Sequence, residues 1–140
     1  LINDRPYEEI KIGEQASFSK TITEADIVGF AGLTGDFNPI HVDNAFAEKS
    51  IFKGRIAHGM LTGAFISTVL GTALPGKNTV YMSQEMKFVA PAYIGDTLTA
   101  TVEVINKRDD KRILELKTTV TNQAEKEVVI GQAKVMKLKD

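Results

Sequence analysis

The sequence contains no cysteine. Disulfide scaffolds, thiolate nucleophiles, cysteine-ligated zinc and iron–sulfur clusters are excluded together. Histidine is scarce: His41 and His58 are the two present, so any imidazole chemistry has two candidates. An excess of one charge is also missing, since 17 Lys+Arg against 18 Asp+Glu leave a net −1. Without a basic surplus to release counterions, the chain lacks the electrostatic footprint of a nucleic-acid binder. No apolar run reaches membrane length. The most apolar stretch, Gly59–Leu74, is too short and is interrupted by Thr62, Ser67, Thr68 and Thr72. The opening LINDRPYEEI has neither the basic nor the apolar region of a secretory signal. These absences predict a soluble, cytoplasmic protein that engages neither nucleic acid nor membrane.

What is present suits one packed domain over residues 1–140. The 43% hydrophobic and 25% charged content is the ordinary globular mix, rich enough in apolar groups to exclude disorder. Residues 1–15 read as polar and irregular. Ser17–Ile22 alternates with the period of a strand. Thr23-Glu-Ala-Asp26 matches a capping box with Asp in place of Glu or Gln, and predicts a helix over Glu24–Leu33 that stops at Gly35. Asp36–Asp43 cannot continue as regular helix, because Pro39 fixes its own φ and pushes Asn38 out of the α region. A helical turn over Asn44–Lys49 and an irregular segment over Ser50–His58 follow.

Gly59–Leu74 is apolar nearly all round, and a helix without a polar face is expected to be buried on every side. In so small a chain only a wrapping sheet can do that. Four alternating strands, Thr79–Phe88, Leu98–Lys107, Ile113–Thr121 and Val128–Leu138, separated by short turns, supply it. The expected class is α+β: an antiparallel sheet wrapped around a long central helix, the hot-dog arrangement. Such a sheet has an open edge and an incompletely covered helix, which predicts a homodimer.

Two constellations can carry chemistry. In Asp36-Phe-Asn-Pro-Ile-His41 a carboxylate and an imidazole lie five residues apart on a loop stiffened by Pro39, so they can share one small volume and polarise a water between them. The same residues also make an ordinary Asx-Pro turn, and spacing does not choose between the two. In His58-Gly59-Met60 an irregular segment enters the central helix. The first amides of a helix lack internal partners, and the dipole favours negative charge there. Gly59 would let a ligand carbonyl approach, as in an oxyanion hole, or would merely allow close packing.

Metal binding by Asp36, His41, Asp43 and His58 finds no support in a metal-ligand pattern such as HExxH. A serine nucleophile finds no G-x-S-x-G elbow. Ser67 falls inside the central helix, where a serine most often bonds back to a carbonyl one turn earlier.

Together, Thr34-Gly-Asp36-Phe-Asn-Pro-Ile-His41-Val-Asp43, Ile56-Ala-His58-Gly59-Met60-Leu61 and Phe88-Val-Ala-Pro91-Ala-Tyr-Ile-Gly-Asp96 resemble the MaoC-like hydratase family, nearest to its small bacterial (R)-specific enoyl-CoA hydratases. The similarity runs from about Thr23 to the C-terminus. It implies a hot-dog homodimer that adds water syn across trans-2-enoyl-CoA to give (R)-3-hydroxyacyl-CoA. By matching position it implies Asp36 and His41 as the catalytic dyad, Gly59 as amide donor to the thioester oxygen, and Asn38, Ser67, Leu70 and Val135 as substrate-binding residues, the last three lining the acyl pocket. No metal or redox cofactor is implied, CoA being part of the substrate. Which of Asp36 and His41 acts as base stays open. Lys53 and Arg55 precede His58 and read as a solvated basic loop rather than as partners of the CoA phosphates. Two other functions fit the same fold: an acyl-CoA thioesterase aiming water at the carbonyl carbon, and a non-catalytic acyl-CoA-binding subunit.

Overall fold

The alternating segments form one five-stranded antiparallel sheet. In the structure, a computed structural model that describes residues 1–139, the strands are β1 (Gln15–Thr21), β2 (Thr79–Phe88), β3 (Thr97–Arg108), β4 (Ile113–Thr121) and β5 (Glu127–Lys137), in the order β1-β3-β4-β5-β2. The period of two puts Leu98, Ala100, Val102 and Val104 of β3 on the inner face with no exposure, and Leu114, Leu116 and Val120 of β4 beside them. Register keeps these rows aligned: Ala100 pairs with Val120, Val104 with Leu116, and Leu116 with Ala133 of β5. A slip of one residue would turn every one of these side chains outward.

Four helices precede or cross this sheet: α1 (Glu24–Thr34), α2 (Pro39–Val42), α3 (Asn44–Glu48) and α4 (Gly59–Thr72). The capping box opens α1 as read. The Thr23 hydroxyl accepts from the Asp26 amide at 3.1 Å, and the Asp26 carboxylate accepts from the Thr23 amide at 2.9 Å. Burial would raise the Asp26 carboxyl, but the Lys20 ammonium and the Thr23 donors outweigh it and hold the group below its usual value. Gly35, at φ 84°, ends the helix in the left-handed region.

α4 lies against the concave face of the sheet, with Leu61, Phe65, Ile66, Val69 and Leu70 buried. The hot-dog arrangement is thus present, with one correction. α4 is not buried on every side within this chain, because Met60, Ala64 and Ser67 lie on an exposed stripe. The reason is topological. The strand nearest that stripe, β2, is one of the two edge strands of the sheet, and Val80, Tyr81 and Met82 are exposed on it.

Two further readings change. Asp36–Asp43 contains a single helical turn, α2, because Pro39 sits at its first position, where a missing N–H costs nothing. The N-terminal segment, read as merely polar, inserts Tyr7 and Ile10 into the core around a 3₁₀ turn over Tyr7–Glu9. Tyr7 is anchored by donating to Asp109 at 2.7 Å. Among the described residues, no helix is long and apolar enough to cross a membrane.

Candidate active site

α2 carries His41. Asn38 caps it, its Oδ1 accepting from the Ile40 amide at 3.1 Å. Asn38 is exposed, and capping is the role its contacts give it. The turn buries the imidazole of His41 and sets its Nδ1 2.7 Å from the Ile56 carbonyl oxygen. A carbonyl only accepts, so Nδ1 carries the proton, and in the neutral ring Nε2 is the bare lone pair.

Asp36 is held just ahead of this turn with its carboxylate exposed. Its Oδ1 accepts from the Asn38 amide at 3.2 Å, and its backbone carbonyl accepts from His58 Nε2 at 2.9 Å. The His58 ring stacks on that of His41, with centroids 3.8 Å apart and planes inclined by 26°. A carboxylate oxygen of Asp36 and one ring nitrogen each from His41 and His58 lie within 4.8 Å of one another.

That cluster meets the spacing of a metal site but not its directions. Ring lone pairs lie in the ring planes, and two nearly parallel rings do not converge on one tetrahedral ion. A water suits it better: two hydrogen bonds of about 2.8 Å from one oxygen span roughly 4–5 Å.

Gly59 opens α4 directly after His58. The amides of Leu61 and Thr62 both donate to the His58 carbonyl, at 3.1 and 3.2 Å, so those of Gly59 and Met60 are the ones without an intrahelical acceptor. Gly59 and His41 line the same cavity of about 340 Å³, walled by Phe52, Thr62, Phe88 and Pro91. A side chain at position 59 would enter the Phe88 ring, since a Cβ there would sit 2.9 Å from Cδ1 and 3.3 Å from Cγ. The Asp36–His41 loop and the helix start are therefore brought together.

The residues that the resemblance implies bind substrate are not brought together. Ser67 is exposed and faces a second, apolar groove of about 400 Å³ with Met60, Ala64, Tyr81 and Met82. It does not sit in a buried helix as read; the α4 hydroxyls that bond back to carbonyls are Thr62 and Thr72. Leu70 and Val135 are packed in the core between α4 and the sheet, with 1% and 0% exposure. If that interior receives the acyl chain, Leu70→Ala is expected to shift the chain-length preference toward longer substrates. It should also cost about 2–5 kcal/mol of stability. Rates across an acyl series, with denaturant unfolding alongside, check this; an unchanged profile removes Leu70 from the pocket.

Arg55 overturns the reading of a solvated basic loop. Its side chain is 5% exposed. Nε donates to the His41 carbonyl at 2.6 Å, and the guanidinium pairs with Glu24 at 2.7 Å. Lys53, by contrast, is exposed. The signal missed was an arginine immediately before the apolar Ile56-Ala57.

Comparison with known proteins adds relatives to this geometry. Residues 8–127 match the MaoC like domain family. The chain is 52% identical to an (R)-specific enoyl-CoA hydratase of Rhodospirillum rubrum over 93% of this chain and 90% of that protein. It is 41% identical to the (R)-specific enoyl-CoA hydratase of Aeromonas caviae, over 91% of this chain and 96% of that protein. The solved structure of the R-hydratase PhaJ1 from Pseudomonas aeruginosa superposes with a TM-score of 0.95 at 42% identity, covering 99% of this chain and 89% of that one. With a family match spanning most of its length and relatives this similar, the chain belongs to the MaoC-like family.

Proposed function

We infer that this protein is an (R)-specific enoyl-CoA hydratase, adding water to trans-2-enoyl-CoA to give (R)-3-hydroxyacyl-CoA. The observation that carries the reading is that one cavity holds both the His41 ring and the unpaired amide end of α4 at Gly59. Adding water to a conjugated thioester needs a polarised water at Cβ, a proton for Cα and a donor to the enolate-like oxygen.

In this reading the thioester carbonyl meets the Gly59 amide, where the end of the helix dipole favours the developing charge. A water donates to Asp36 and to His41 Nε2. Its oxygen bonds to Cβ as Nε2 takes its proton, and the Cα–Cβ π electrons move onto the carbonyl oxygen. The proton taken from the water then returns to Cα from the same face, restoring both the carbonyl and the dyad, so the addition is syn. All atoms come from water and substrate. The reading needs no metal or redox cofactor, and CoA is part of the substrate. Ser67, Leu70 and Val135 are assigned to the acyl end on the family resemblance alone, since this chain does not bring them together.

The working unit in this reading is a homodimer. β2 leaves its outer backbone groups unpaired at the sheet edge, beside the exposed apolar stripe of α4. A second copy related by a two-fold axis would cover both.

The test is incubation with crotonyl-CoA, following enoyl absorbance, free thiol and product configuration. Loss of enoyl absorbance with (R)-3-hydroxybutyryl-CoA formed is expected. Release of free CoA with the enoyl absorbance intact would replace the hydratase by a thioesterase. Sedimentation of the same preparation should give twice 15.3 kDa; a single-chain mass in the active sample would remove the dimer.

A further inference from the structure

The dyad loop is not held by its own turn alone. Its two ends present backbone carbonyls, of Asp36 and of His41, and each accepts from a buried side chain of one short segment. His58 Nε2 donates to the first at 2.9 Å, and Arg55 Nε donates to the second at 2.6 Å. Between them, the Ile56 carbonyl accepts from His41 Nδ1 at 2.7 Å, and the Ile56 amide donates to the Ile40 carbonyl at 3.3 Å. Four hydrogen bonds thus join residues 55–58 to residues 36–41, and the next residue in the chain is Gly59.

Both side chains are committed to this task. His58 is 2% exposed, wedged between the rings of His41 and Phe30 at 3.8 and 4.9 Å. Its Nε2 must carry the proton, since the Asp36 carbonyl cannot donate. Its Nδ1 is buried with no hydrogen-bond partner among the described residues. A buried imidazole with one nitrogen unpaired is costly to keep, and no packing role alone requires it, since an apolar ring would fill the space. Arg55 carries a buried charge, compensated by Glu24 at the start of α1.

We propose that His58 and Arg55 are positioning residues, which clamp the two ends of the Asp36–His41 loop to the segment that leads into Gly59 and so fix the dyad's distance from the oxyanion-binding amide. This rests on the hydratase reading and adds to it the device that sets the geometry between the two halves of the site. Neither residue need touch substrate. The clamp acts on the chemical step, where a displacement of about 1 Å can cost about 10²-fold in rate, and much less on substrate binding.

The experiment compares His58→Leu, which removes the donor, with His58→Gln, whose amide nitrogen reaches nearly as far as Nε2. Both are measured on crotonyl-CoA beside the unaltered protein, with circular dichroism and thermal melts as checks on folding. His58→Leu is expected to lose about 10²-fold in kcat with KM altered only a few-fold. His58→Gln should recover about ten-fold of that loss, being able to donate again although it cannot stack. If the leucine variant does not fold, His58→Asn replaces it, being polar but too short to reach the Asp36 carbonyl. Arg55→Lys is expected to keep more kcat than Arg55→Met, because an ammonium can still donate to the His41 carbonyl. Folded His58→Leu or His58→Asn protein with unchanged kcat overturns the clamp. So does a glutamine variant no better than the others, which would assign the loss to the ring and not to its hydrogen bond. An unaltered protein inactive on crotonyl-CoA would instead defeat the hydratase reading, which the same assay reports separately.

Discussion

Asp36→Asn and His41→Gln are each expected to lower kcat on crotonyl-CoA by about 10²–10⁴-fold while leaving the chain folded. The asparagine keeps an Oδ1 for the Asn38 amide, so the turn before α2 retains the bond it has now at 3.2 Å. What it loses is the negative charge that orients a water. Asp36 is exposed and contributes no buried apolar surface, so its replacement should barely move the melting temperature. His41→Gln is less neutral, because the ring is buried against His58 and its Nδ1 bonds the Ile56 carbonyl. Glutamine places its amide where Nε2 was, so it renews neither contact, and it cannot take up and return a proton. The two losses should not add: groups that serve one water fail together, so the double variant should be about as slow as the worse single one. Steady-state kinetics with melting curves on all three variants decide it. Activity within a few-fold of the parent in either folded single variant removes that residue from the dyad.

Gly59→Ala should come next in size, with a loss of about 10²-fold or more. Position 59 lies in the first turn of α4, so no left-handed conformation demands glycine there. The demand is contact. A Cβ would lie 2.9, 3.0 and 3.3 Å from Cδ1, Cε1 and Cγ of Phe88, and Cγ is the root of the ring, not a flexible tip. Either the ring swings into the cavity that both residues line or the helix start moves away from it. Each outcome displaces the amide proposed to meet the thioester oxygen. A second change separates these effects. Phe88→Ala on the Gly59→Ala background clears the clash, and it should restore part of the rate if crowding, not the methyl itself, caused the loss. Wild-type kcat in Gly59→Ala would mean that the carbonyl binds elsewhere.

Much of the architecture was legible because it depends on local rules. The capping box at Thr23, the stop at Gly35 and the alternation in β3 and β4 each specify their element within a few residues. Strand bounds for Thr79–Phe88 and Ile113–Thr121 were read as they are observed. The helical turn at Pro39 was misread because proline is excluded from helix interiors but suits a first position, and which of the two applies depends on where the helix begins. Tyr7 and Ile10 were overlooked because their burial comes from residues a hundred positions away, around Lys107 and Asp109.

The site divides along the same line. Asp36, His41 and Gly59 carried signals in their residue types and in the short motifs around them. Arg55 carried none, and His58 only that of an imidazole at the helix start, because each acts on a backbone carbonyl 14 or 22 residues earlier in the chain. Nothing in the spelling of a segment says which distant carbonyl it will meet. Ser67, Leu70 and Val135 show the converse: the family resemblance alone grouped them, whereas packing puts one on an exposed groove and two in the core.

The amino-acid order by itself determined the elements, the α+β class and the residue types available for acid–base work, because hydrophobic period, capping and turn chemistry act over a few residues. Only the tertiary structure decided that one end of the central helix opens on the cavity lined by His41, that an arginine is buried behind that residue, and that one flank of the helix is left uncovered. Those facts follow from how the sheet curls and which strand lies at its edge, and long-range packing sets both.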